Sequence, residues 1–402
     1  MWLLFYVISS FFKGADFLIA CKEAGNTVFL VTSRGLEGKP WPTSHIDEIF
    51  YIQEKPNDDW NLDDLIGGTA YLMRSRKIDR VVALDDFDVE KAALVRETFR
   101  LPGMGQTTGR HFRDKLAMRV KAAEAGINVP AFIGLFNDAE VDNYLKTVKA
   151  PWLIKPRSEA SATGIEKCHT SEQVWNIIDA LGQKRHNYLI EQFRPGDVYH
   201  VDAINDNRKV VFCQVSKYLS TPFEVAHGGG IFRSATVAHG SEDDKALQKM
   251  NEDVMKAFGM NYSASHTEFI KCHEDGQFYF LETASRVGGA NLAEMVYFAS
   301  GVQLWKEWAK VEDHAANGSS YVTPKKMKNY SGIIISLCKN LRAGYEEFDD
   351  PEVVWKLHLD NHIGVIVKSK SEKKVLELLD KYADLIKNKY HASAPAKASS
   401  KS

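Results

Sequence analysis

At 402 residues the chain is long for a single core, and two to four subdomains are expected. Its content of 44% hydrophobic and 26% charged residues is that of an ordinary globular protein. A net charge of −2 argues against nucleic acid or a membrane surface as the main partner. The five cysteines are scattered and form no CxxC pair, a pattern that fits a reducing cytoplasm and gives no zinc or disulfide framework.

The apolar opening, residues 1–12, has no basic residue before it and is too short to span a bilayer, so it reads as a buried first strand. Strands are expected at 3–8, 27–32, 49–52 and 80–84, with helices at 15–24, 63–75 and 89–99. Such alternation predicts a parallel, Rossmann-like sheet. The first turn, Ser9-Ser-Phe-Phe-Lys-Gly14, lacks the spaced glycines of a dinucleotide loop. Asp85-Asp86 end a strand, where such sheets place ligand groups; capping of the next helix accounts for them equally well.

Leu101-Pro-Gly-Met-Gly105 breaks the pattern and marks a domain boundary. A helix over 114–125 follows, with Lys115 in its first turn, where a lysine opposes the helix dipole. Trp152-Leu-Ile-Lys155 is an apolar strand ending in a lysine that needs an anionic partner. The small-residue loop 158–164 and the glycine run in 227–230 are candidate lids. Strands at 188–193, 199–204 and 210–214 form an antiparallel meander, and helices are expected at 170–181, 243–258 and 291–300. Residues 315–328 read as a linker, 331–337, 353–359 and 364–369 as strands, 372–387 as a closing helix, and 393–402 as a disordered tail.

The most informative stretch is 264–290, in which two apolar runs flank His273-Glu-Asp-Gly276 and predict a β-hairpin. A loop of residues 274–276 sets Glu268 across from Glu282, Ile270 from Phe280, Cys272 from Phe278 and Phe269 from Leu281. Like charges opposed on paired strands are destabilising, so a cation is expected between them. Two hard oxygen ligands suit Mg²⁺ or Mn²⁺. Alternatively Arg286 or Lys271 holds the two carboxylates, or one of them faces solvent.

Taken in order, Asp114-Lys115, Ile154-Lys155-Pro156, Glu191-Gln-Phe-Arg-Pro-Gly196, His266-Thr-Glu268 and Glu282-Thr-Ala-Ser-Arg286 with Gly288-Gly289 resemble the ATP-grasp superfamily, its carboxylate–amine ligase branch in particular. The resemblance spans residues 1–310. It implies a multidomain α/β and α+β chain: a Rossmann-like N-terminal domain (1–105), a two-lobed ATP-grasp fold (106–190 and 191–314), a small α+β C-terminal cap (315–390) and a tail (391–402). It further implies ATP and Mg²⁺ or Mn²⁺ as cofactors. Lys115 and Lys155 fall on the phosphate-binding lysines, and Glu191, Gln192, Phe193 and Arg194 on the adenine-binding segment. Glu268 and Glu282 fall on the metal ligands, and Arg286 on the group that meets the transferred phosphate. Two positions depart from the pattern. Ala284 replaces a metal-binding Asn, and Val198 replaces an acidic ribose ligand, a task Asp197 is expected to take over.

The implied reaction activates a carboxylate as an acyl phosphate and condenses it with an amine, an amino acid by expectation, in a cytoplasmic enzyme. Small-molecule acid and amine substrates are the expected partners, with a homodimer as the default assembly. His266 shares a strand face with Glu268 and is expected either to orient it or simply to pack. The rivals are a carboxylase or acid–thiol ligase on the same scaffold, and a nucleotide-binding regulator without catalysis, which Ala284 favours and the retained Glu268, Glu282 and Arg286 oppose.

Overall fold

The computed structural model describes residues 3–55, 59–159, 163–221, 225 and 229–393. Its first strands, β1 (Leu4–Ser9), β2 (Thr27–Ser33), β3 (Glu48–Ile52) and β4 (Arg80–Ala83), form a parallel sheet in the order β3-β2-β1-β4. Every residue of β1 is buried, so the opening apolar run is a strand covered on both faces. One face is closed by a helix from far along the chain: Leu304–Asn317 packs on Ala15–Glu23, with Trp308 edge-on to Phe17 at 5.0 Å between ring centroids. Sequence reading had no helix here and placed a linker from 315 onward. The stripe Leu304, Trp308, Val311 has helical spacing and carried the signal.

A second sheet holds β5 (Phe132–Gly134), β6 (Trp152–Pro156), β7 (Glu166–Cys168) and β8 (Tyr188–Gln192) in the antiparallel order β5-β8-β6-β7. Helices Asp138–Thr147 and Ser171–Leu181 back it, the latter opened by a capping box of Thr170 and Gln173.

The third sheet has eight strands: β9 (Gly196–Asp206), β10 (Lys209–Tyr218), β11 (Phe232–Thr236), β12 (Ser263–Cys272), β13 (Phe278–Ala284), β14 (Tyr330–Leu337), β15 (Val353–Lys356) and β16 (His362–Ser369). Their order is β13-β12-β9-β10-β11-β14-β16-β15. The expected C-terminal cap is therefore not a separate layer. Its strands pack a cluster of their own against helix Glu372–Lys389, but β14 hydrogen-bonds to β11 and continues the large sheet. The tail from 394 and parts of both proposed lids (160–162, 227–228) lie outside the described residues. Among the described residues no helix is long and apolar enough to cross a membrane.

Candidate active site

The turn of the central hairpin is one residue longer than expected. Cys272 N–H donates to Gln277 O at 2.9 Å, leaving His273–Gly276 as a four-residue loop with Gly276 at φ +68°. Near the turn the pairs are Phe269–Phe280, Ile270–Tyr279 and Lys271–Phe278, each displaced from the expected partners. A β-bulge between Glu268 and Phe269 then absorbs Leu281 and restores Glu268 opposite Glu282. Thus the carboxylate pair stands as expected, although the pairings around it were misread. The carbonyl of Leu281 accepts a hydrogen bond from the Arg119 guanidinium.

Neither Lys271 nor Arg286 neutralises the two glutamates. Lys271 reaches Asp243 at 2.6 Å, and Arg286 donates from Nη2 and Nε to Asp86 Oδ2 at 2.6 and 3.0 Å. Instead Lys115 Nζ lies 2.8 Å from Glu282 Oε2, and the Tyr218 hydroxyl donates to Glu268 Oε1 at 2.8 Å. His266 Nε2 is 3.5 Å from that same oxygen.

Strand periodicity explains what stands behind Glu268. His200 and Asp202 alternate on β9 as His266 and Glu268 do on β12, and the register sets His266 against Asp202 and Glu268 against His200. A buried chain results. Ser234 Oγ is 2.7 Å from His200 Nε2, His200 Nδ1 is 2.7 Å from Asp202 Oδ2, and Asp202 Oδ1 is 2.8 Å from His266 Nδ1. Burial opposes the charge on Asp202, yet the two imidazoles hold its carboxyl well below the usual range. Burial likewise opposes protonation of His266, but Asp202, then Glu268, lift it from 6.5 to about 9. Glu268 is held below its ordinary value because His266 and Tyr218 outweigh its burial.

The sign for stability follows. A raised folded pKa stabilises fully below about 6.5, and that contribution is lost as pH rises through about 9. We expect unfolding free energy to fall by about 3 kcal/mol across that interval, and the fall to be absent in His266→Gln. Denaturant titrations at a series of pH values check this.

Gly288 closes over the same pair. A Cβ there would stand 2.8 Å from Asp202 Oδ1 and 2.9 Å from His266 Nδ1, closer than carbon approaches such atoms. Gly288→Ala is expected to cost about 1–3 kcal/mol by overpacking and to displace His266 from Glu268. A thermal melt and an activity measurement on the variant test it.

The other expected residues divide in two. Lys115, Lys155, Glu268, Glu282 and Arg286 line one cavity of about 480 Å³ between the three sheets, along with Asp86, Val198 and Tyr218. Glu191 is buried behind it. Its carboxylate is taken by Lys155 and by Arg119, the latter through Nε at 3.0 Å and Nη2 at 2.9 Å, and these cations outweigh burial to hold it ionised. The partner that Lys155 required is therefore Glu191. Gln192 donates to Lys149 O at 3.2 Å, Phe193 lies 3.6 Å beneath Lys167 Nζ, and Arg194 lies 4.8 Å from the Tyr279 ring. Asp197 falls on the strand face opposite Val198 and pairs with Lys217 at 2.8 Å, so it does not line the cavity. The expected ribose contact from Asp197 has no support in this geometry.

Of the two strand-end aspartates, Asp86 lines the cavity while Asp85 accepts from Phe87 N–H as a cap. Sequence reading missed Arg119, Asp202 and Tyr218 as site residues. Arg119 was detectable as a charge in the buried stripe Leu116, Arg119, Ala122, and His200-x-Asp202 as alternating polar groups in an apolar strand.

Two opposed carboxylates in a cavity, one already drawn to a lysine, fit a hard divalent cation; Ala284 adds no donor. Residues 122–290 match the family described as D-ala D-ala ligase C-terminus. The L-arginine-specific L-amino acid ligase of Bacillus subtilis is 22% identical over 242 residues, 58% of each chain. Our chain thus spans little more than half the length of that curated relative. Among solved structures, the L-amino acid ligase of Bacillus licheniformis superposes with TM-score 0.76 at 15% identity, covering 98% of this chain and 99% of that one. The biotin carboxylase domain of Hydrogenobacter thermophilus 2-oxoglutarate carboxylase, solved with MgADP and bicarbonate, gives TM-score 0.70 at 16% identity over 98% and 91%. The chain has the fold of the ATP-grasp ligases.

Proposed function

We propose that this chain is an ATP-dependent carboxylate–amine ligase that releases ADP and phosphate. The observation that carries the reading is the opposition of Glu268 and Glu282 in one cavity, flanked by Lys115, Lys155 and Arg286. Phosphoryl transfer is chiefly positioning and charge neutralisation, and these groups supply both. Glu268 and Glu282 would hold Mg²⁺, which when bound neutralises phosphate oxygens. Lys115 and Lys155 would take the phosphates. Residues 191–194 do not line the cavity, and the N–H groups of Gln192 and Phe193 donate to Ala131 O and Pro151 O, so the adenine would be left to the remaining backbone groups of that segment. We read the parallel sheet in front as the Rossmann-like domain of such ligases, supplying Asp86 to the acid and amine pocket.

A carboxylate oxygen of the acid attacks the γ-phosphorus, and the bond to the β–γ bridging oxygen breaks with loss of ADP. The amine nitrogen then attacks the acyl carbon. Phosphate leaves with the oxygen it received, and the nitrogen loses a proton to water. Arg286, which donates to Asp86, would meet the transferred phosphoryl group. Asp86 in turn stays ionised because Arg286, Arg113 and Lys13 outweigh its burial.

The competing reading, a nucleotide-binding regulator, draws on Ala284 alone. Incubation with MgATP and a panel of carboxylic acids, with and without amino acids, separates them. Acid-dependent ADP and phosphate with a condensed product supports the ligase. Tight MgATP binding with no turnover of any pair supports the regulator.

A further inference from the structure

Nearly every cation of the cavity has an anionic partner. Arg119 and Lys155 share Glu191, Lys115 meets Glu282, and Arg286 meets Asp86. Arg113 is the exception among the described residues. It lines the cavity at 8% exposure, and its guanidinium carbon lies 4.2 Å from the centroid of the Phe87 ring. Among the described residues it makes no ion pair and its guanidinium donates no hydrogen bond; the anion whose charge it feels, Asp86, takes its hydrogen bonds from Arg286.

A buried guanidinium with no anion in hydrogen-bond reach is unfavourable unless something meets its donors. Phe87 offers its ring but no carboxylate or carbonyl acceptor to the N–H donors along the guanidinium edge. Arg113 sits just ahead of Asp114, the N-cap of helix Lys115–Glu124, and faces the end of β4. It is therefore at the front-domain end of the cavity. Asp86, Arg286 and Arg113 together carry one net positive charge, which matches a singly charged group better than a phosphate dianion.

We propose that Arg113 is the receptor for a carboxylate that is not phosphorylated, carried by one of the two substrates. The proposal rests on the ligase reading. A planar carboxylate takes two parallel N–H donors from the guanidinium edge while the Phe87 ring packs against the group. Arg113 is thus a specificity-determining residue, and it selects an amine or an acid that bears a second anionic group.

The test uses the full chain and compares Arg113→Gln and Arg113→Lys with the parent. In one arm the amine is an amino acid or its C-terminal amide; in the other the acid is a dicarboxylate or its monoamide. The parent is expected to prefer the carboxylate member of one pair by on the order of 10–100-fold in kcat/KM. Arg113→Gln should reduce that preference to about twofold, through KM, leaving the KM for ATP unchanged; Arg113→Lys should restore part of it. Equal loss on both members of each pair, weakened ATP binding, or a parent without preference in either arm overturns the proposal.

ADP release by the parent keeps the two readings apart. Turnover without discrimination defeats only the role of Arg113, whereas no acid-dependent ADP with any pair defeats the ligase. In that case thermal-shift protection by the same probes still decides. Carboxylate-dependent protection lost in Arg113→Gln supports the receptor, and no such protection overturns it.

Discussion

Glu282→Gln is expected to lower kcat by about 10³-fold or more while leaving the fold intact. The carboxylate faces Glu268 across the hairpin, and losing one of two hard oxygen ligands removes several kcal/mol of charge stabilisation from phosphoryl transfer. Its salt bridge to Lys115 is partly open to solvent, with the Glu282 side chain 34% exposed, so stability should change by no more than about 1 kcal/mol. Steady-state kinetics at several Mg²⁺ concentrations, beside a denaturant melt, checks both halves. A variant retaining a tenth of the parental rate would show that Glu282 does not hold the metal.

Glu191→Ala should do the reverse, striking stability first. Glu191 is 1% exposed and is the shared anion of Arg119 and Lys155. Its removal leaves two cations in a buried setting without compensation, which typically costs about 3–5 kcal/mol. Replacing the whole network is gentler than breaking it. The triple variant Glu191→Leu, Lys155→Met, Arg119→Met should therefore be more stable than Glu191→Ala, though inactive because Lys155 is gone. Equilibrium unfolding of the two variants tests the ordering. Equal stability of Glu191→Ala and the parent would mean that water reaches the network freely.

The contrast between these two glutamates shows how far the sequence can be read. Glu268 and Glu282 are legible because strand pairing is local: a hairpin of known turn fixes which side chains face each other. The misread turn shifted three pairs, and only the bulge at Leu281 brought the carboxylates back into opposition. Nothing local announces that Glu191 ends between Arg119 and Lys155, or that Arg286 is held by Asp86, 200 positions away. Those contacts arise where three sheets meet. The parallel front sheet was visible from its strand–helix alternation, but its covering helix, Leu304–Asn317, comes from beyond the ATP-grasp domain. The C-terminal strands read as a cap because strand periodicity does not tell which sheet a strand will join; their pairing with β11 does.

In the proposed reaction a carboxylate becomes an acyl phosphate in the cavity between Glu268, Glu282 and Arg286. The most direct test is to supply an acid substrate labelled with ¹⁸O in its carboxylate and follow the label during turnover with MgATP and the amine. Transfer of one ¹⁸O into the released phosphate, with ADP as the other product, is the predicted result. Label recovered in AMP, with release of pyrophosphate, would contradict the account and assign the chain to acyl-adenylate chemistry.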